Sequence, residues 1–289
     1  MSPRTPILLV MLVLVAHVPF AAAESGTLKV PKTVEAGKAF SIATDASSRG
    51  VLYVFGFGDV VRRDVQPGEN VLLEPRDIHH AGHYLVMLAA NSSVAQAEFD
   101  VIASPKPASL SFLAKPSRLP VDMQGGISGV VYVFDVFRNL ILQPTPVSFQ
   151  LAGASVQTTS TQNGVAWMKM SSAPKAGVTQ LQASVRGVTE TRIVQQVPGD
   201  ACNLRMTVRA SGQRIVLETD PVRDCRGNAL PDGTIVTFTA THQGRPVATV
   251  DVPLKRDVAK TEIPAYRGAV ISVATGVAMG NDVRIGAGK

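Results

Sequence analysis

Apolar and polar positions along this chain alternate with period two. Val147, Phe149 and Leu151 share one side of a stretch whose intervening residues are Ser148 and Gln150. Val236, Phe238 and Ala240 repeat that arrangement, with Thr237 and Thr239 between them. Strict alternation puts one face of a pleated strand in a core, so both stretches predict half-buried β-strands. Val51-Leu52-Tyr53-Val54-Phe55, Val130-Val131-Tyr132-Val133-Phe134 and the set Ala97, Phe99 and Val101 predict further strands through their β-branched and aromatic content. His79 to Ala90 has some helical periodicity. Gly82 and the run Tyr84-Leu85-Val86-Met87-Leu88 favour a strand there instead. Turn signals at Glu35-Ala36-Gly37, Gly56-Phe57-Gly58 and Pro67-Gly68 separate these runs. The pattern predicts an all-β chain.

One unit occurs twice. Asp135-Val136-Phe137-Arg138-Asn139 precedes the strand at Val147, and Asp224-Cys225-Arg226-Gly227-Asn228 precedes the strand at Val236. The second copy follows the first by 89 positions, with no gap from the Asp to the Phe. A repeat of that length is a small domain, not a solenoid turn. An apolar run leads into each polar turn, Val130 to Phe134 or Ile215-Val216-Leu217. A connection containing proline leads out, Gln143-Pro144-Thr145-Pro146 or Pro231-Asp232-Gly233. Asp135, Asn139, Asp224 and Asn228 are therefore predicted to shape turns by capping backbone amides. Arg138 stands where the second copy has Gly227.

This set of residues resembles the bacterial immunoglobulin-like domains of group 1, the invasin/intimin type. Those repeats carry an Asp-x-x-Gly-Asn turn, a Pro/Gly connection and a Val-x-Phe strand. They also carry an Asn-Gly-x-Ala segment and an Ala-Gly strand start, matched here by Asn163-Gly164-Val165-Ala166 and by Ala176-Gly177 leading to Leu181-Gln182-Ala183. The match covers most of 107–197 and, more loosely, 201–286. Arg138 departs from the pattern, and the last copy lacks a clear Asn-Gly-x-Ala. Upstream, Ala81-Gly82-His83-Tyr84 resembles the Asp-x-Gly-x-Tyr signature of immunoglobulin-type sandwiches, with His80 where Asp is usual. The resemblance makes Tyr84 a candidate tyrosine corner. It implies three tandem immunoglobulin-like β-sandwiches over 24–103, 107–197 and 201–289. Ser104-Pro105-Lys106-Pro107 and Val197-Pro198-Gly199-Asp200 would be short stiff linkers, and the expected shape is a rod.

Residues 1–23 read as a cleaved signal peptide. Arg4 supplies the positive start, Ile7 to Ala16 the apolar core, and Ala21-Ala22-Ala23 the small-residue cleavage pattern. No Cys lies near the cut, which argues against a lipid anchor. No later apolar run reaches spanning length, so no membrane span is expected in the mature chain. The expected location is secreted or periplasmic. In such an oxidising compartment the two cysteines, Cys202 on the first strand of the last domain and Cys225 inside its turn, are expected to be bonded.

The chain carries 28 basic and 22 acidic residues, a formal charge of +6. Loss of Arg4 lowers it to +5. The excess is dispersed, which suits solvated strand faces and gives no aromatic-basic platform for nucleic acid. His79, His80 and His83 lie close in sequence, but no Cys and only Asp77 accompanies them, too few ligands for zinc. Asp135 and Asp224 are too isolated for a calcium site. Glu69 and Glu74 flank a turn without sign of a shared cleft. No Gly-x-Ser-x-Gly elbow or phosphate-binding loop is present. No cofactor, metal or catalytic residue is expected. Trp167, the single Trp, faces outward if Ala166, Met168 and Met170 face inward, which makes it a candidate contact residue.

The expected function is non-catalytic: a β-sandwich spacer or binding module at the bacterial envelope, adhesion-like or for display. The expected partner is a protein or an envelope polymer. An accessory subunit of a larger envelope complex is the alternative, and a hydrolase with an unrecognised site is a further one. The ligand and the oligomeric state stay open.

Overall fold

The computed structural model describes residues 27–91 and 93–286. The signal expected at 1–23 lies outside them. No helix occurs among the described residues. They divide into two compact units, one ending at Ile102 and the other starting at Ala103.

The first unit is one pair of sheets. β1 (Leu28–Lys29), β3 (Phe40–Thr44) and β6 (Asn70–Leu73) form a sheet in the order β1-β3-β6. β2 (Thr33–Glu35), β8 (Ser93–Ile102), β7 (Gly82–Ala90), β4 (Gly50–Gly56) and β5 (Asp59–Val65) form the facing sheet in that order. β2 runs parallel to β8, and the other neighbours are antiparallel. Alternation explains what is buried. Leu52 and Val54 of β4 and Tyr84, Val86 and Leu88 of β7 point into the core. Phe99 sits between Phe40 and Tyr84, with ring centroids 5.3 and 5.4 Å away.

The second unit contains two more sheet pairs. β9 (Ser109–Lys115), β11 (Ile127–Phe134) and β14 (Val165–Met170) pair in the order β14-β11-β9. β10 (Arg118–Pro120), β16 (Val188–Val197), β15 (Gly177–Val185), β12 (Pro146–Leu151) and β13 (Gln157–Ser160) form the facing sheet. Adding eight to every strand number of the first sandwich reproduces both orders of the second. β10 even repeats the parallel pairing of β2, here against β16. Two small antiparallel sheets crossed over in this order, facing larger ones, define an immunoglobulin-like sandwich.

The third sandwich pairs β17 (Met206–Ser211), β18 (Arg214–Thr219) and β21 (Lys260–Pro264) in one sheet. β20 (Arg245–Pro253), β19 (Ile235–His242), β22 (Val270–Thr275), β23 (Ala278–Met279) and β24 (Val283–Arg284) form the other. Among the described residues it has no counterpart of β2 and β10. β17 turns directly into β18 through Gly212, whose φ is +64°. Its last strand is broken into β23 and β24. Asn281 bridges that break: its amide oxygen accepts the Met206 N–H at 2.6 Å and its amide nitrogen donates to the Met206 carbonyl at 3.0 Å. This sandwich encloses its own core, including Leu217, Val236, Phe238, Ile271 and Val273.

The repeat seen in the sequence lands on equivalent places. Phe149 of β12 pairs with Ala183 of β15, and Phe238 of β19 pairs with Val273 of β22. Both rings are buried. Two positional expectations differ from the structure. Cys202 lies in a bend ahead of β17, because the chain there bridges to the Asp224 turn instead of joining a ladder. Glu69 and Glu74 flank the short strand β6, not a turn.

Candidate functional site

The two Asp-x-x-x-Asn turns sit between β11 and β12 and between β18 and β19. Asp135 is 1% exposed and uses both carboxylate oxygens. One accepts the Phe137 N–H at 2.9 Å and the Asn139 N–H at 2.8 Å. The other accepts the Asn139 side-chain amide and the Ser104 N–H, both at 3.0 Å. Asp224 repeats this closely. Its first oxygen accepts the Arg226 N–H at 2.9 Å and the Asn228 N–H at 2.8 Å. Its second accepts the Asn228 side-chain amide at 2.9 Å and the Gly199 N–H at 3.0 Å. A buried carboxylate is costly unless its oxygens are hydrogen-bonded, and here each one takes two N–H groups.

Burial by itself pushes the Asp224 carboxyl upward. The hydrogen bonds from the Asn228 side chain and from the Gly199, Asn228 and Arg226 amides outweigh that, and hold it below the usual carboxylate value. The turn needs a left-handed residue in fourth place. Gly227 supplies it at φ +81°, and Arg138 is held there at φ +66°.

Ser104 and Gly199 belong to the segments that lead into the second and third sandwiches. Each turn therefore fastens the entry segment of its own domain. In the third sandwich it also reaches its neighbour. The Asn228 amide oxygen accepts the Ala176 N–H at 2.9 Å, and the Asn228 amide nitrogen donates to the Pro174 carbonyl at 3.0 Å. Pro174 and Ala176 lie between β14 and β15 of the second sandwich. Arg226 forms an ion pair with Asp122, from the segment after β10. Cys225 is bonded to Cys202, and the Cys202 N–H donates to the Arg223 carbonyl at 2.9 Å. The disulfide thus ties the turn to the incoming chain a second time.

A depression of about 230 Å³ lies at this junction, lined by Val121, Asp122, Asp200, Asp224, Cys225 and Arg226 among others. Two of its acidic groups are already engaged. Asp224 is saturated by amides, and Asp122 is ion-paired to Arg226.

The remaining sequence candidates fall elsewhere. The Tyr84 hydroxyl donates to the His80 carbonyl at 2.9 Å, the bond of a tyrosine corner. Burial raises its pKa, with a smaller push from Asp59. His83 Nδ1 lies 3.0 Å from Asp100 and Nε2 3.4 Å from Glu98. The Asp100 hydrogen bond, with Glu98 behind it, raises the His83 pKa. His79 and His80 place their ring centroids 4.3 Å apart. Among the described residues no three His, Cys, Asp or Glu side chains group to hold a metal ion. No helix among them is long and apolar enough to cross a membrane. Trp167 is 57% exposed on the outer face of β14, with Lys169 Nζ 5.9 Å from its ring centroid.

Sequence reasoning located Asp224 and Asn228 but missed what they grip. Gly199, Pro174 and Ala176 carry no local signal for it, and neither does Asp122, the partner of Arg226. The Arg226–Asp122 pair joins positions 104 apart, and only the docking of two domains brings them together.

No known protein family and no curated protein matches the chain. Among solved structures it is similar to invasin, a bacterial integrin-binding protein, at 12% identity and a TM-score of 0.46. That alignment covers 88% of this chain and 58% of the invasin chain, so this chain spans little more than half of that one. It is also similar to the FN1–FN3 domains of chicken CNTN1, at 11% identity, a TM-score of 0.38 and coverage of 91% and 97%. A segment of titin gives 10% identity, a TM-score of 0.37 and coverage of 90% and 97%. The immunoglobulin-like assignment rests on the strand orders given above.

Proposed function

We propose that this chain is an exported, non-catalytic bacterial envelope protein related to the group 1 immunoglobulin-like repeats, and that it serves as a spacer and binding module. The observation that carries this reading is the junction at Asp224 and Asn228. A spacer must transmit position, and position is lost wherever a linker swivels. Here one turn holds the entry segment through Gly199, the neighbouring sandwich through Pro174 and Ala176, and a further strand end through the Arg226–Asp122 pair. The Asp224 carboxylate is committed to holding backbone and the Asn228 side chain, a structural role that supports the spacer reading. The disulfide suits a protein that matures outside the reducing cytoplasm.

Fractionation of the producing bacterium tests the reading. The account expects the protein in the periplasmic or culture fraction, beginning at Glu24 and holding an intact Cys202–Cys225 bond. Cytoplasmic protein with an unprocessed start and free thiols would overturn it.

A further inference from the structure

The outer face of the β9-β11-β14 sheet is apolar in its middle and cationic at one end. Leu113, Val130 and Trp167 form one row across the three strands. Tyr132 and Val165 stand beside it, and Lys115 and Lys169 flank Ser128 in the row on its other side. Leu113, Tyr132 and Trp167 are exposed. No carboxylate stands in these rows. β14 is also the last strand of its sheet.

The register fixes which of its backbone groups are free for a partner. The Val133 N–H donates to the Gly164 carbonyl at 3.3 Å, so that pair is of the hydrogen-bonded kind. Antiparallel pairs alternate, so Ala166, Met168 and Met170 direct their N–H and C=O groups towards β11. Trp167 and Lys169 direct theirs to the open edge. The same two residues point their side chains to the outer face. Val165, which shares this phase, is already closed by bonds to Gln162.

We propose that this edge takes an acidic, extended peptide segment of another protein as an added antiparallel strand, an inference that deepens the binding-module reading and rests on it. The incoming strand pairs opposite Trp167 and Lys169. Its residue opposite Trp167 is apolar. The residue two places earlier, opposite Lys169, is a carboxylate, with Lys115 further along the same row. Charge complementarity selects this occupant. Lysine on an edge strand discourages pairing with a like edge, and an anionic strand removes that obstacle. Main-chain bonds then supply affinity while the alternate side chains supply selectivity.

Trp167 is the chain's single tryptophan, so its emission reports the site directly. The probe is acetyl-Thr-Thr-Glu-Thr-Leu-Thr-Thr-amide, titrated into the full chain. The expected result is a saturable blue shift, weakened by salt, with at least about tenfold weaker binding of the peptide carrying Lys in place of Glu. Lys169→Gln removes the charge alone. Lys169→Pro also removes the outward N–H while sparing the β11 ladder, because proline is tolerated where an edge strand faces solvent. Lys169→Gln should weaken binding about tenfold and Lys169→Pro about tenfold more, with unchanged melting temperatures showing that both variants fold.

Equal binding of the Glu and Lys peptides overturns the proposal, as does equal binding to the two variants. So does a shift with polygalacturonate but none with peptide, which makes the face a site for anionic glycan. An emission shift that follows protein concentration alone, with a doubled sedimentation mass, assigns the edge to a second copy and overturns it too. Peptide binding in this register by a cytoplasmic protein would keep the edge site and discard only the envelope reading.

Discussion

The Asp224 carboxylate accepts the Gly199 N–H at 3.0 Å, across 25 residues of chain. Asp135 holds Ser104 at the same distance across 31. The same side chain that closes a turn also fixes where its domain begins. Asp224→Ala strips four N–H groups of their acceptor. We expect unfolding of the third sandwich to become easier by about 3 kcal/mol, read as a lower urea midpoint at unchanged slope. Asp135→Ala should act alike on the second sandwich.

Acid should reveal the same carboxylate. Asp224 titrates below its ordinary value when folded, because its hydrogen bonds outweigh its burial. Unfolding therefore takes up a proton as pH drops. The stabilisation is whole above the ordinary carboxylate range and disappears as pH falls through the folded value. Urea midpoints from about pH 7 to about pH 3 should fall less steeply in Asp224→Asn than in the parent. Parallel curves would contradict the assignment.

Arg138 and Gly227 occupy one left-handed position in two copies of one turn. Nothing lies within 4 Å of a Cβ added at Gly227, so the cost there is backbone strain alone. Gly227→Ala should lose about 1 kcal/mol, and Arg138→Gly should be neutral or gain slightly as strain is relieved. Paired thermal melts of the two variants check both signs.

The Cys202–Cys225 bond closes a loop with a sequence separation of 23. Replacing both residues by Ser should lower the stability of the third sandwich by about 3 kcal/mol in the chain-entropy account. Non-reducing peptide mapping checks the bond, and calorimetry checks the loss.

Strand content was legible because alternation reports burial directly. Val147, Phe149 and Leu151 all turned inward, as did Val236, Phe238 and Ala240. The turn residues were legible too, since Asp and Asn at that spacing have a local reason to be there. What Asn228 does to Pro174 and Ala176 was not. Those contacts are to backbone atoms, which any residue type offers, and they exist only once two sandwiches meet. Nor was it legible that, among the described residues, the third sandwich lacks a counterpart of β10. A tight hairpin at Gly212 replaces it, and one glycine in a polar stretch does not announce that choice.

Asn228 gives the most direct test of the central claim, that the turn fixes the third sandwich on the second. Spin labels at Ser160→Cys and Arg245→Cys, both exposed positions on separate sandwiches, report the distance between them by pulsed electron resonance. The account predicts one narrow distance distribution in the parent and a distinctly broader one after Asn228→Ala, with both domains still folded. A broad distribution in the parent, or a narrow one that Asn228→Ala leaves unchanged, would contradict it.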